Sequence, residues 1–389
     1  MQRVLVVTAG LLIAALAFVH WVLPGQVERG MNVYLPHESR EISQRARELH
    51  ASLFVADLHT DSMLWKRNFL KRSDVGHVDL PRLQEGNVAL QVFSATTKSP
   101  AGQNYNENSA DADDRITLLA VLSFWPVRTW TSIYERAVYQ LEKLYDFAAR
   151  SELTVIRSRQ DLRKLIERRE RGEPDIGAIY LIEGAHPLEG DLKKLDTLFE
   201  KGLRIAGLTH FFDNELGGSL HGQSGDGLSA FGRDVIVRAD ELGVIVDVAH
   251  ASPTMVEEVL DLNNRPVILS HGGLKGACDT PRNLSDGLMR RIAAEGGLLG
   301  IGFWDAAICD PRPAGVVRAI RYAIDLLGED HVALGSDYDG TVAVTFHSGE
   351  LVVLTDEMLR AGFTETEIRK VMGENVKRFM LENLPNEAI

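Results

Sequence analysis

Cysteine is almost absent from this chain. Two occur in 389 residues, Cys278 and Cys309, and neither sits in a Cys-x-x-Cys pair. They make no metal site by themselves. In an oxidising compartment they could pair with each other, a point that spacing leaves open. Basic charge is in deficit: 42 Lys and Arg stand against 55 Asp and Glu, a formal net charge of −13. A chain without a basic footprint is not built for nucleic acid or for anionic lipid. The Gly-rich stretch through Gly217, Gly218, Gly222, Gly225 and Gly227 lacks the Gly-Lys-Ser/Thr closure of a phosphate loop. Long apolar runs are missing too, with one exception. From Val4 to Pro24 there is no charged residue, and about 20 residues suffice to cross a bilayer. Arg3 precedes the run, and His20 and Trp21 fall where an interfacial belt would lie. The run is long for a signal-peptide core and no small-x-small cleavage site follows it. The expectation for residues 1–30 is a membrane anchor, with a signal segment as the alternative, and residues 31–389 form one domain on the far side of the membrane.

What is present is a globular enzyme's composition, 45% apolar and 25% charged, in a chain long enough for one large α/β barrel. After a polar linker at 25–40 and a short helix at 42–53, eight apolar stretches read as strands. They reach Asp61, Ser94, Glu183, His210, His250, His271, Trp304 and Asp337. Helical segments alternate with them, at 131–150, 192–201, 229–242 and 253–262, and two more helices close the chain over 355–384. A polar stretch at 96–114 reads as a long surface loop near a site. Strand and helix in alternation, eight times, is the pattern of a TIM (β/α)8 barrel.

In that fold functional groups stand at the C-terminal ends of strands. Here six of the eight stretches end in His, Asp or Glu. Alternation along a strand sends Asp57, His59 and Asp61 to one side. Ionised carboxylates are costly to bury unless paired or bound to metal. His59, Asp61, Glu183, His250 and His271 can hold two divalent ions, with Glu183 shared. Three imidazoles and two carboxylates make zinc the first choice, two Zn2+ per chain. Two such ions activate a water held between them and polarise a carbonyl. His210 and Asp337 are left to steady the tetrahedral oxygen and to move the proton. Asp339 ranks below Asp337 because Gly340 breaks the strand. Asp247 has the wrong parity to share a face with His250.

The ordered motifs Asp57-Leu-His59-Thr-Asp61, Ile182-Glu-Gly184, Leu208-Thr-His210, Val246-Asp-Val-Ala-His250, Leu269-Ser-His271, Cys278-Asp-Thr-Pro-Arg282-Asn283 and Gly335-Ser-Asp337-Tyr-Asp-Gly340 resemble the membrane (renal-type) dipeptidase family. This is a group of binuclear zinc dipeptidases, and the likeness covers roughly residues 45–385. The stretches from Thr209 to Gly218 and from Gly300 to Asp305 are closest to its bacterial branch. The resemblance implies His59 and Asp61 on one zinc, His250 and His271 on the other, and Glu183 bridging. It also implies His210 on the tetrahedral oxygen, Asp337 as proton carrier, and Arg282 gripping the substrate's free carboxylate in two-pronged fashion. Mammalian members have a Tyr where Trp304 stands, and they carry a lipid anchor at the C-terminus.

The expected function is zinc-dependent hydrolysis of dipeptides with a free C-terminal carboxylate, a hydroxide between the metals attacking the peptide carbonyl. The resemblance implies that substrates with a D-residue in second place are accepted, which brings in cell-wall-derived dipeptides as an expectation. The expected setting is membrane-anchored, with the catalytic domain in the bacterial periplasm or at the cell surface. A homodimer stays open. Two alternatives compete. One is another binuclear barrel amidohydrolase, a lactonase or cyclic amidase. Many of those use a modified Lys at the fourth strand end, where this chain has His210. The other is a non-catalytic membrane-tethered accessory protein.

Overall fold

The computed structural model of the chain describes residues 18, 20–36 and 40–387. Eight parallel strands pair in sequence order: β1 (Val55–Thr60), β2 (Val88–Thr96), β3 (Ile176–Glu183), β4 (Leu203–Gly207), β5 (Ile245–Asp247), β6 (Ile268–Gly272), β7 (Leu298–Ile301) and β8 (Val332–Leu334). Leu334 of β8 lies opposite Asp57 of β1, which closes the ring. Every residue of these strands is buried, as expected of a parallel sheet covered on both faces. The architecture is the TIM-type barrel read from the alternating pattern. A short strand, Leu153–Val155, adds to the start of β3 and takes no part in closure.

Serine starts the helices. Ser132, Ser158, Ser229, Ser252 and Ser285 each accept a hydrogen bond from the backbone N–H three residues on. Such a cap satisfies one orphan donor and is worth about 1 kcal/mol. Caps place helices at Ile133–Ala148, Arg159–Glu170, Ala230–Leu242, Pro253–Leu262 and Asp286–Ala294. At the C-terminus the expected pair of helices is divided further, into Val352–Arg360, Glu365–Arg369 and Asn375–Asn383. The last two meet at Gly373, where a Cβ would fall 1.8 Å from the Phe54 carbonyl oxygen.

Two readings need correction. Several strands are shorter than expected: β4, β5 and β8 stop three residues before His210, His250 and Asp337. At β5 the cause is visible, because Asp247 Oδ1 accepts from the Ala249 N–H at 3.0 Å and turns the chain. Residues 25–40 are not a plain linker. Leu23–Met31 is a helix, and Val33–Tyr34 pairs with Ala343–Val344. Glu28, which looked like linker polarity, is buried in an ion pair with Arg67, and Arg67 also pairs with Asp339. Asn32 Oδ1 accepts from the Thr341 N–H at 2.9 Å. This helix crosses the expected domain boundary at residue 30 and packs with the barrel.

Most of the expected membrane span, residues 4–24, lies outside the described residues. Among the described residues no helix is long and apolar enough to cross a membrane.

Candidate metal centre

The barrel gathers the candidate residues at one end. His59 lies in β1, Glu183 ends β3, and His271 lies in β6. Asp61 follows β1 directly, and His210, His250 and Asp337 stand three residues past their strands. His250 (φ 63°) and Asp337 (φ 58°) adopt the left-handed backbone region. A non-glycine residue rarely does so, and such strain collects at functional sites. It lets a side chain beyond the strand end turn back toward the barrel axis.

Glu183 is the hub. Its Oε1 lies 3.5 Å from His59 Nε2, 3.3 Å from His250 Nε2 and 3.4 Å from His271 Nε2. Its Oε2 lies 3.5 Å from His210 Nε2 and accepts from Thr96 Oγ1 at 2.7 Å. His59 Nε2 is also 3.6 Å from Asp61 and 4.0 Å from Asp337. All these side chains are buried. Ligands about 2.0–2.1 Å from a tetrahedral ion are about 3.3 Å from one another, close to most of these separations. Three overlapping groups have the spacing to hold an ion: His59, Glu183 and His271; Glu183, His210 and His250; and His59, Asp61 and Asp337. By distance alone His210 stands as near the hub as His59 does.

The hydrogen bonds orient the imidazoles. Ser270 Oγ donates to Asp247 Oδ2 at 2.6 Å, so its lone pairs face His271 Nδ1 at 2.9 Å and His59 Nδ1 at 3.3 Å. With Nδ1–H satisfied there, both rings turn Nε2 toward Glu183, and the neutral His271 presents a bare lone pair. His59 Nε2 has no hydrogen-bond partner among the described residues. His250 and His271 bring their Nε2 atoms within 2.9 Å of each other. Burial holds both well below the ordinary histidine range, and so neutral. Against that same burial, Glu183, Asp61 and Asp337 push His59 up to about 10. Burial, together with the charges of Asp61 and Glu183, raises Asp337 well above the usual carboxylate range. Three crowded carboxylates, which already draw a proton onto His59, call for positive charge beside the neutral His250 and His271, and divalent metal fits these residues.

Arg282 lies in the same cavity. It is 2% exposed. Its Nη2 donates to the His271 carbonyl at 2.8 Å, and its Cζ lies 5.4 Å from the Trp304 ring. No carboxylate pairs with it among the described residues. The Cys278–Cys309 disulfide, with Cα atoms 5.6 Å apart, ties the loop carrying Arg282 to the loop carrying Trp304.

Sequence reasoning missed several neighbours. Asp247, set aside on parity, sits behind the cluster and acts on His59 and His271 through Ser270. Thr96 joins Glu183 to Asp61, donating to either carboxylate at 2.7 or 2.8 Å. Tyr105, from the polar loop, lines the cavity. The loop's polarity was the only signal for it. Gly340 is hemmed in: a Cβ there would lie 2.1 Å from Asp337 Oδ1 and 2.8 Å from Asp61 Oδ2. Asp57 turns to Ser336 and Gln91, and Asp339 to Ser62, Arg67 and the His77 N–H. His186 packs on Phe212, outside the three groups.

A closed parallel barrel with carboxylates and imidazoles clustered at its strand ends defines a barrel of the metallohydrolase class. Residues 43–387 match the family described as "Membrane dipeptidase (Peptidase family M19)", and the chain belongs to it. An uncharacterised dipeptidase of Schizosaccharomyces pombe is 31% identical over 214 residues, 52% of this chain and 52% of that protein. The match thus spans about half the length of that relative. The crystal structure of a metallopeptidase described as dipeptidase AC has a TM-score of 0.68 at 25% identity, covering 86% of this chain and 100% of that one. A metallopeptidase from Rhodobacter sphaeroides, solved with a phosphinate mimic of the dipeptide L-Ala-D-Ala, has a TM-score of 0.66 at 24% identity. It covers 85% of this chain and 99% of that one.

Proposed function

We propose that this chain hydrolyses dipeptides with a free C-terminal carboxylate, using two zinc ions. The observation that carries the reading is Arg282, a buried guanidinium with no carboxylate partner among the described residues, facing the cavity that the metal cluster floors. A buried unpaired charge is unfavourable, and a substrate carboxylate meets it. His59 and Asp61 would hold one ion, His250 and His271 the other, with Glu183 available to both. Bound there, the two ions supply the charge that makes water nucleophilic near neutral pH and polarises the scissile carbonyl. Arg282 fixes the substrate's end and so sets how far the peptide bond reaches into the cavity. His210, whose Nδ1 donates to the Lys98 carbonyl at 3.1 Å, faces the oxygen that gains charge with Nε2 and stabilises it by donating from Nε2–H when the ring carries both protons. Asp337 accepts the proton of the attacking water and passes it to the leaving amine.

The chain sits in the membrane through its N-terminal apolar run, with the barrel extracytoplasmic. The Cys278–Cys309 disulfide supports that placement, because such bonds persist in oxidising compartments. The test uses the full chain in detergent, loaded with zinc, and follows amino acid release from L-L and L-D dipeptides. Hydrolysis that a chelator stops and Asp337→Asn removes supports the reading. A zinc-loaded chain that cleaves no dipeptide refutes it.

A further inference from the structure

The cavity over the cluster holds about 180 Å³, and its two sides differ. On one side stands Arg282, from the loop after β6, with the Trp304 ring 5.4 Å from its Cζ. The facing side is apolar: Val27 and Met31 of the helix Leu23–Met31, Leu64 and Trp65 of the turn after β1, and Ile116 and Leu119 of the helix Arg115–Leu122. In the ring, β1 and β2 lie across from β6. Leu64, Trp65 and Ile116 are buried in one apolar cluster, against which Val27, Met31 and Leu119 pack. The Glu28–Arg67–Asp339 ion pairs and the Asn32–Thr341 hydrogen bond pin the first helix in place. That helix precedes residue 43, where the family match begins. This part of the wall is therefore supplied from outside the family's common core.

We propose that this wall is a specificity pocket for the side chain of the substrate's N-terminal residue, and that it selects bulky apolar side chains. The proposal rests on the dipeptidase reading. With the substrate's carboxylate on Arg282 and its peptide carbonyl beside Glu183 and His210, the N-terminal residue points past Asp61 to the wall. A Leu or Phe side chain there removes apolar surface from water on both partners. A serine or glutamate would lose hydration without gaining a partner from the wall itself. Among the polar lining residues on that side, Asp61 belongs to the metal cluster, Ser99 Oγ donates to Gln103 Oε1 at 2.5 Å, and Arg115 is exposed.

The experiment measures kcat/KM of the full zinc-loaded chain on X-Ala dipeptides, with X as Ala, Ser, Glu, Leu or Phe. Leu and Phe are expected to exceed Ala roughly ten-fold or more, because each well-packed methylene discriminates by about that factor. Met31→Ser and Leu119→Ser, both at partly exposed positions, should lower the Leu-to-Ala ratio several-fold, mainly through KM, with the melting temperature checked alongside. A flat panel, a preference for Glu or Ser, or a ratio unchanged in both variants overturns the proposal while leaving the dipeptidase reading in place. Failure to cleave any member of the panel removes that reading, and this inference with it.

Discussion

Replacing Arg282 by methionine tests the substrate grip directly. The guanidinium is 2% exposed, spends one donor on the His271 carbonyl and has no anionic partner among the described residues. Its other N–H groups are free for a carboxylate. Truncating one member of a buried charge pair costs about 2–5 kcal/mol. At about 1.4 kcal/mol per factor of ten, Arg282→Met should lower kcat/KM on a dipeptide by roughly 30- to 4,000-fold, chiefly by raising KM. The same dipeptide with a C-terminal carboxamide lacks the charge. The parent protein should cleave it poorly, by a comparable factor, and the variant should treat acid and amide alike. Steady-state kinetics on the four combinations of protein and substrate isolates the coupling. The melting temperature should hold or rise, since the variant removes an uncompensated buried charge. If the variant loses the same factor on both substrates, or the parent cleaves both equally, Arg282 does not bind the carboxylate and the reasoning fails.

Gly340→Ala should abolish turnover by pushing Asp337 and Asp61 apart, while circular dichroism reports an intact barrel; full activity would show that the two carboxylates have room to move. His77 is held down to about 4 by burial, and its Nδ1 accepts from the Asp339 N–H at 3.1 Å. Because the folded value lies below the unfolded one, its contribution is complete above about pH 6.5 and is lost as pH falls toward 4, roughly 3 kcal/mol in all. His77→Gln should therefore flatten the fall in stability between pH 6.5 and 4, read by denaturant titration. An unchanged slope would mean His77 is not the acid-sensitive group. Cys278→Ser should cost about 3–4 kcal/mol for a bond closing a separation of 31 residues, and should raise KM more than it lowers kcat by freeing the Arg282 loop. Stripping metal should lower the melting temperature, with recovery that scales with added zinc. A melting temperature indifferent to zinc would argue that the cluster holds none.

The cluster was legible because its residues close apolar runs. An apolar stretch ending in His or a carboxylate, repeated along a βα alternation, leaves few folds and few chemistries. Parity failed where the strand stopped. Asp247 was set aside by a rule that assumes extended backbone as far as His250, yet the chain turns at Ala249 and His250 is left-handed. The helix Leu23–Met31 was illegible for another reason. Its buried charge, Glu28, is compensated by Arg67, 39 residues on, and no local pattern reports such a partner.

By itself the sequence determined the eight-fold alternation, the residue types at the strand ends, and the acidic charge balance. These are set by local periodicity and composition, which a linear reading captures. Only the tertiary structure decided that Glu183 is the point on which His59, His210, His250 and His271 converge, that Arg282 stands buried beside them with no carboxylate partner among the described residues, and that Cys278 reaches Cys309. It also decided that a helix near the N-terminus walls the cavity. Each of these depends on closure of the ring, which brings residues from separate strand ends within a few ångströms. Distance along the chain carries no record of it.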